Sequence, residues 1–383
     1  MENTEFGISL VCLKRSSDES FETLSRVQIH RIRAGTSKIK LAFWDILMST
    51  FFIHLYFYFA AKKIIKKKDI KILHVHDLPL MGTALLLKRK YKHLRVVFDM
   101  HENYPEALPL WFGWKKGLIT QLKNRLFMTT NRWLPWEKKA VAGADAILTV
   151  VDEMKSTLER KYGPLPKAVV VSNTESISFL NTPVDASVYS SFPDKFIITY
   201  TGGIGPHRGI DTVVDAMALI SNPEIIFVVV GSGSKDAMTE LQQRINKLQL
   251  QDRIFLLGHR PASTVLSYMT GASANIIPHK KNAQNDNGVP HKLFQNMLAG
   301  RPLLVSSSAP LQRIVHETKS GLVFEAENPR ELAEAIMQLY HSPSLASELA
   351  QNGRTAASSG KYAWETSAKT LRSVYDHLSK RGE

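Results

Sequence analysis

Short apolar runs alternate with longer amphipathic stretches along this chain, and that alternation is the pattern of parallel sheets covered by helices. In the first half the expected strands are Ile8–Leu13, Val27–Ile32, Ile72–His76, Val96–Met100, Ala146–Val151 and Ala168–Ser172. The helices between them are expected at Leu41–Lys67, Met81–Tyr91, Trp114–Val141 and Glu153–Lys161. After a polar stretch at Tyr189–Asp194 that reads as a linker, the pattern restarts. Strands follow at Phe196–Thr201, Ile225–Val230, Ile254–Leu257, Ala274–Ile277, Pro302–Val305 and Gly321–Phe324. Helices are expected at Ile210–Ile220, Ser234–Leu248, Ala262–Thr270, Lys292–Leu298, Ala309–Glu317, Pro329–Tyr340 and Trp364–Leu378. A chain of 383 residues is too long for one ordinary core, so two α/β domains of roughly 150–200 residues are expected. They are placed at 1–188 and 189–360, with a C-terminal helix over 361–383 crossing back to the first domain. Ligands of such sheets bind at the carboxyl ends of the strands, which points to a cleft between the domains.

Hydrophobic residues make up 44% of the chain and charged ones 22%, the composition of a soluble globular protein. The single cysteine, Cys12, excludes an intramolecular disulfide and a cysteine-based metal site, and fits a reducing compartment. Residues 1–6 are polar and acidic, unlike a cleavable signal peptide. A net charge of +14 implies anionic partners. The basic residues concentrate at Lys62–Lys68 and through Lys115–Lys139, without zinc-finger spacing or an aromatic RNA-binding signature, so nucleic acid is not expected. Leu41–Ala61 is the most apolar stretch, but Asp45 and His54 are costly in a bilayer core. It reads as a core-facing helix packed on a sheet, with a helix lying on an anionic membrane surface as the alternative.

Three strand-to-helix junctions carry candidate chemistry. Asn287–Pro302 reads as a loop, a short helix and a Gly-Arg-Pro turn before a buried strand. A helix opening there suits a phosphate, with Lys292 as a cation and Asn287 and Gln295 as amides for sugar hydroxyls. Thr201–Asp211 is glycine-rich, with Gly202 and Gly203 after a strand and Arg208 where the next helix begins, able to fork onto phosphate oxygens. Gly231-Ser232-Gly233-Ser234 is another tight turn of this kind, expected to line the same cleft. In the first half, Asp99–Glu106 places His101, Glu102 and Glu106 at a strand end, where His101 could bond a sugar hydroxyl or shuttle a proton. His74-Val75-His76-Asp77 is a similar strand end, with His76 and Asp77 toward the same edge. His74, His76, Asp77 and His101 do not have a spacing that ties them into a metal site, and none is expected.

In this order the motifs resemble the family 4 retaining glycosyltransferases, which have the GT-B fold of two facing Rossmann-like domains. The match runs from Tyr200-Thr201-Gly202-Gly203 and Arg208-Gly209 through Val230–Gly233, Leu257-Gly258 and Pro278 to Asn287–Pro302. Val75-His76-Asp77 and His101–Pro105 look like a subset of the same family. The resemblance implies transfer of a sugar from a nucleotide-sugar donor, with retention and without an obligatory metal or other cofactor. It implies that Gly203, Arg208, Gly231, Lys292 and Gln295 bind the donor, Arg208 and Lys292 at its diphosphate and Gln295 at its ribose. His101 and Asn287 would stand at the donor sugar, and His76, Asp77 and Glu102 on the acceptor side.

Two departures qualify the match. Asn287 and Gln295 occupy the places of the family's two motif glutamates, so binding can survive but a role needing negative charge cannot. The family's opening strand, glycine loop and helix have no counterpart before Ile8, which leads to the expectation that upstream codons encode them. The expected protein is a cytoplasmic glycosyltransferase of polysaccharide or cell-surface glycan assembly, acting on a glycan or lipid-linked acceptor at the inner face of the cell membrane. Its rivals are a sugar-nucleotide epimerase of the same fold and a non-catalytic sugar-nucleotide-binding protein.

Overall fold

The computed structural model describes residues 6–14, 18–33, 38–112 and 117–380. Trp114 to Lys116, expected to open a helix, and Met1–Glu5 lie outside the described residues. The chain divides into two compact units. One comprises Met1–Thr149, Leu158–Val169 and Arg372–Glu383, and the other Val150–Thr157 and Val170–Leu371.

The first unit holds two sheets rather than one. β1 (Ile8–Leu13), β2 (Phe21–Leu24) and β3 (Val27–Ile32) form a small sheet in the order β1–β3–β2, with β1 parallel and β2 antiparallel to β3. The unexpected β2 is only four residues long and returns through Ser25-Arg26, with Ser25 at φ 54°. A two-residue hairpin needs such a left-handed residue, and serine gives little sequence warning of it.

The apolar stretch expected as one core-facing helix is instead two helices, α1 (Lys38–Phe51) and α2 (Leu55–Lys67), broken where Phe52 turns to φ 55°. Their outer faces leave Phe43, Ile46, Phe51, Leu55, Tyr56 and Phe59 exposed, so the core-facing expectation is corrected. No described helix is long and apolar enough to cross a membrane.

The second sheet of this unit contains β4 (Ile72–His76), then, after α3 (Met81–Lys90), β5 (Arg95–Met100). α4 (Tyr104–Phe112), α5 (Leu118–Phe127) and α6 (Thr130–Gly143) follow, then β6 (Ala146–Thr149), α7 (Asp152–Tyr162) and β7 (Ala168–Val170). The order is β4–β5–β6–β7, with the first three parallel. Sequence pattern missed α4 because Pro105 and Pro109 argue against a helix. The core of this unit gathers Val96, Val97 and Phe98 of β5, Ile147 and Leu148 of β6, and Trp133 of α6, all without exposed surface or nearly so.

The second unit is a six-stranded parallel sheet of β8 (Phe196–Thr201), β9 (Ile225–Val230), β10 (Ile254–Gly258), β11 (Ala274–Ile277), β12 (Leu303–Ser306) and β13 (Gly321–Phe324). Its helices are α8 (Ile210–Leu219), α9 (Lys235–Lys247), α10 (Val265–Gly271), α11 (Lys292–Leu298), α12 (Ala309–Thr318), α13 (Pro329–His341), α14 (Pro343–Ser359) and the start of α15 (Trp364–Lys380), whose residues from Arg372 onward belong to the first unit. All six residues of β9 are buried, as expected of a strand with helices on both faces. The presumed linker is part of this core: Tyr189 is buried, and its hydroxyl lies 2.6 Å from Thr199 Oγ1 and donates to the carbonyl of Tyr268.

The strand order β10–β9–β8–β11–β12–β13 reverses direction between β8 and β11. Loops leaving the carboxyl ends of two such strands diverge to opposite faces and open a crevice, the usual ligand position in an open α/β sheet. The loops concerned are Gly202–Gly209 and the segment that starts at Pro278.

Candidate functional site: an unpaired buried ammonium and a histidine-ringed carboxylate

At the switch point of the second unit, Lys292 projects from the first turn of α11. Its Nζ is buried, has no hydrogen-bond partner among the described residues, and lies 4.0 Å from the centroid of the Tyr200 ring. Burial, reinforced by Arg208, drives its pKa well below the ordinary lysine value. The Tyr200 hydroxyl donates to the Gly203 carbonyl at 2.7 Å, which pins the glycine loop. Burial pushes this phenol up to about 12, so it stays protonated as a donor.

Arg208 stands at the end of that loop, its Nη1 3.1 Å from His279 Nε2. Burial, then Lys292 and Arg208, hold His279 well below the usual histidine range, so its Nε2 is the acceptor. Burial and the same two cations lower His207 to about 4. Both imidazoles are therefore neutral at physiological pH. Arg208 and Lys292 are the basic groups left in this cluster to meet an anion, and among the described residues neither forms an ion pair with a carboxylate.

Gly202, rather than Gly203, carries the steric demand of the loop. It adopts φ 131°, and a Cβ there would stand 2.6 Å from Lys292 Nζ. Gly231 is equally constrained at φ 153°, because a Cβ would meet the Gly202 carbonyl oxygen at 1.8 Å. Gly203 has no close neighbour in that position. α11 spans seven residues, so its dipole is short and the anion-attracting character rests on the two side chains.

Asn287 lies in a 3-10 turn over Asn285–Asn287, with its Nδ2 donating to the Ala283 carbonyl at 2.7 Å. That bond leaves Oδ1 as a buried acceptor with no partner among the described residues. Gln295, one turn beyond Lys292, donates from Nε2 to Glu175 Oε2 at 2.9 Å.

In the first unit, parallel register sets His76 of β4 opposite Asp99 of β5. Three imidazoles converge on Asp99 Oδ2: His74 Nε2 at 2.9 Å, His76 Nδ1 at 3.1 Å and His101 Nε2 at 2.9 Å. Burial raises the Asp99 pKa, but the hydrogen bonds from His101, His74 and His76 outweigh it and hold this carboxyl far below the usual range. The bond to Asp99 in turn raises the His101 pKa, against the effect of burial. Asp77, at φ 57°, accepts the backbone N–H groups of His101 and Glu102 on Oδ1 at 3.0 and 3.2 Å and so sets the shape of their loop. Desolvation raises its pKa. Tyr375 of α15 lies with its hydroxyl 2.7 Å from His74 Nδ1. The two contacts hold the His74 ring between Tyr375 and Asp99.

His74, His76 and Asp99 are also the group with metal-ligand proximity among the described residues, their candidate ligand atoms lying within 4.8 Å of one another. Their nitrogens already serve as hydrogen-bond partners of the carboxylate.

The structure thus brings Arg208, Lys292, Gly203 and Gly231 into one neighbourhood of the second unit, and His76, Asp77, His101 and Glu102 into one of the first. Sequence reasoning did not single out Tyr200, His207, His279 or Glu175 in the former, nor assign roles to Asp99 and Tyr375 in the latter. Asp99 closes the strand run before His101 and was legible as an acidic strand end. Tyr375 and Glu175 gave no local signal.

Residues 183–356 match the model of glycosyl transferases group 1, and residues 8–174 that of glycosyltransferase family 4. An uncharacterized glycosyltransferase of Methanocaldococcus jannaschii is 24% identical over 326 residues, covering 84% of this chain and 80% of that protein. Among solved structures, the sucrose-phosphate synthase of Thermosynechococcus elongatus superposes with a TM-score of 0.77 at 19% identity, over 98% of this chain and 90% of its own. HepE of Anabaena in complex with UDP-glucose gives a TM-score of 0.65 at 16% identity, over 97% of this chain and 100% of its own.

Proposed function

Because the chain belongs to the family 4 glycosyltransferases of GT-B fold, we propose that Lys292 and Arg208 bind the diphosphate of a nucleotide-sugar donor, whose sugar passes to a glycan or lipid-linked acceptor with retention of configuration. The Lys292 ammonium carries this reading. A buried cation with no acceptor costs free energy that the fold alone does not recover, and a diphosphate is an anion of the right chemistry to meet it. The crystallised UDP-glucose complex of HepE supports a nucleoside diphosphate as the class of ligand.

As the bond between the sugar anomeric carbon and the β-phosphate oxygen breaks, negative charge accumulates on the departing diphosphate. Arg208 and Lys292 are already in place to stabilise it, without reorganisation. Two fixed cations do here what a divalent ion does in other phosphate sites. Asn287 contributes the unpartnered Oδ1 as acceptor for a sugar hydroxyl, an orienting role that needs no charge. His101, kept protonated to higher pH by Asp99, is assigned to hydroxyl binding or proton transfer on the first unit.

The acceptor side is read as membrane-peripheral and cytoplasmic. Exposed Phe43, Ile46 and Phe51 of α1, Leu55 and Phe59 of α2, and Leu118, Leu122 and Leu126 of α5 lie on helices that touch, with Trp44 and Tyr56 ring centroids 4.5 Å apart. Exposed Lys63, Lys66 and Lys67 and Arg125 accompany them. Apolar side chains with flanking cations suit an anionic lipid surface.

The direct test is calorimetric titration of the full chain with UDP, GDP and ADP. Saturable binding by one of them, lost in Arg208→Ala and Lys292→Met, is the expected result. A folded protein that binds none of the three sinks the donor-site reading.

A further inference from the structure

We propose that Glu175 is a nucleotide-recognition residue: it supplies, from outside α11, the carboxylate that receives the pentose diol of the donor beside Gln295. This inference rests on the donor-site reading and deepens it. Glu175 Oε2 accepts from Gln295 Nε2 at 2.9 Å and lies 3.4 Å from His291 Nε2, while Oε1 accepts the backbone N–H of Ser176 at 2.9 Å. Its side chain is 18% exposed. No Lys or Arg of the described residues forms an ion pair with it, and the charge is met by an amide, a backbone N–H and a half-exposed imidazole.

The segment that carries Glu175 is firmly held. On one side, the Thr174 hydroxyl lies 3.2 Å from that of Ser367, both buried. On the other, Ser176 Oγ caps the 3-10 turn Ile177–Asn181, and Phe179 and Leu180 pack on Leu266, Met269 and Ala299. A carboxylate fixed in this way and left short of cations is an arrangement that a ligand's hydroxyl donors complete.

Position argues the same way. Gln295 is three residues beyond Lys292 on α11, and such neighbours sit about 5–6 Å apart on a helix surface. That is the separation of a nucleotide's sugar from its phosphates. Donation to Glu175 also settles the Gln295 amide: its nitrogen faces the carboxylate, so Oε1 is the atom offered elsewhere as acceptor. Glutamine and glutamate together thus present acceptor oxygens for two adjacent hydroxyls, as a carboxylate at position 295 could alone. Glu175 here contacts the ligand and also orients Gln295.

The test is calorimetry on the full chain with inorganic pyrophosphate, with UDP, GDP and ADP, and with their 2′-deoxy counterparts. Wild type is expected to prefer the ribonucleotide by about tenfold. In Glu175→Gln that preference is expected to fall toward unity, with pyrophosphate affinity unchanged. Gln295→Glu should weaken the ribonucleotide by setting two carboxylates together, and the double variant Glu175→Gln/Gln295→Glu should restore it. Unchanged ribose preference in Glu175→Gln, or no recovery in a folded double variant, overturns the assignment while leaving the phosphate site intact. Wild type that binds neither pyrophosphate nor any nucleotide overturns the donor-site reading and this inference with it.

Discussion

The Lys292 amino nitrogen lies 4.0 Å from the centroid of the Tyr200 ring and has no hydrogen-bond acceptor among the described residues. The ring's negative face partly offsets the lost hydration, by about 0.5–2 kcal/mol, and leaves the charge open to an anion.

A site arranged for ligand at the expense of the empty fold has a stability signature. Replacing Lys292 by Met keeps the stem's volume and removes the buried charge. The variant is expected to match or exceed wild type by about 1–4 kcal/mol in chemical denaturation, while diphosphate binding is lost. A variant clearly less stable than wild type would mean that the ammonium is satisfied in the empty protein.

Protonation follows from the same burial. Because the folded pKa of Lys292 lies below its unfolded value, the unfolded chain holds more protons in the interval between them. Lys292 therefore makes the empty fold more stable as pH rises through that interval. A bound diphosphate raises the folded pKa again, so binding above the depressed pKa is accompanied by proton uptake. Titrations in buffers of different ionisation enthalpy measure that uptake, and zero uptake at every alkaline pH tested would contradict it.

Gly202→Ala introduces a Cβ 2.6 Å from Lys292 Nζ at a residue with φ 131°. Strain of about 1–3 kcal/mol and at least a tenfold loss of nucleotide affinity are expected. Gly203→Ala, whose Cβ would meet only the Ser232 carbonyl oxygen at 4.0 Å, is the control and should be far milder in both measurements.

On the first unit, the raised pKa of His101 depends on Asp99. The sign is that of a base with a partner: the stabilisation is complete below the unfolded histidine value and fades as pH rises through the higher folded value. Asp99→Asn should bring the His101 titration, followed by NMR of its ring, below its wild-type midpoint. An unmoved midpoint would mean that the short contact carries no ionic character.

Leu118→Ser combined with Leu122→Ser should reduce flotation of the full chain with anionic vesicles, each side chain having about 1.5–3 kcal/mol of burial to contribute. Nucleotide affinity should not change. Equal flotation of wild type and variant would place the membrane contact elsewhere or remove it.

Much of this was legible in the linear pattern. Unbroken apolar runs such as Ile225–Val230 announced buried parallel strands, and the glycine and polar residues that follow them announced the loops where ligands gather. Arg208 and Lys292 were legible as cations at helix starts, and His101 as a polar group at a strand end. The two-residue turn at Ser25-Arg26 and the break at Phe52 were not, because neither position holds the glycine, asparagine or proline that usually marks such a change.

Sequence alone determined the α/β class, the position of nearly all strands along the chain, and the residue types available at each strand end, since periodicity and turn chemistry act within a few neighbours. Tertiary structure alone decided which of these groups meet. Glu175 reaches Gln295 across 120 positions, and Tyr375 reaches His74 across 301. Burial, which leaves Lys292 unpaired and Asp99 strongly ionised, is a property of the packed surroundings, and no local spacing encodes it.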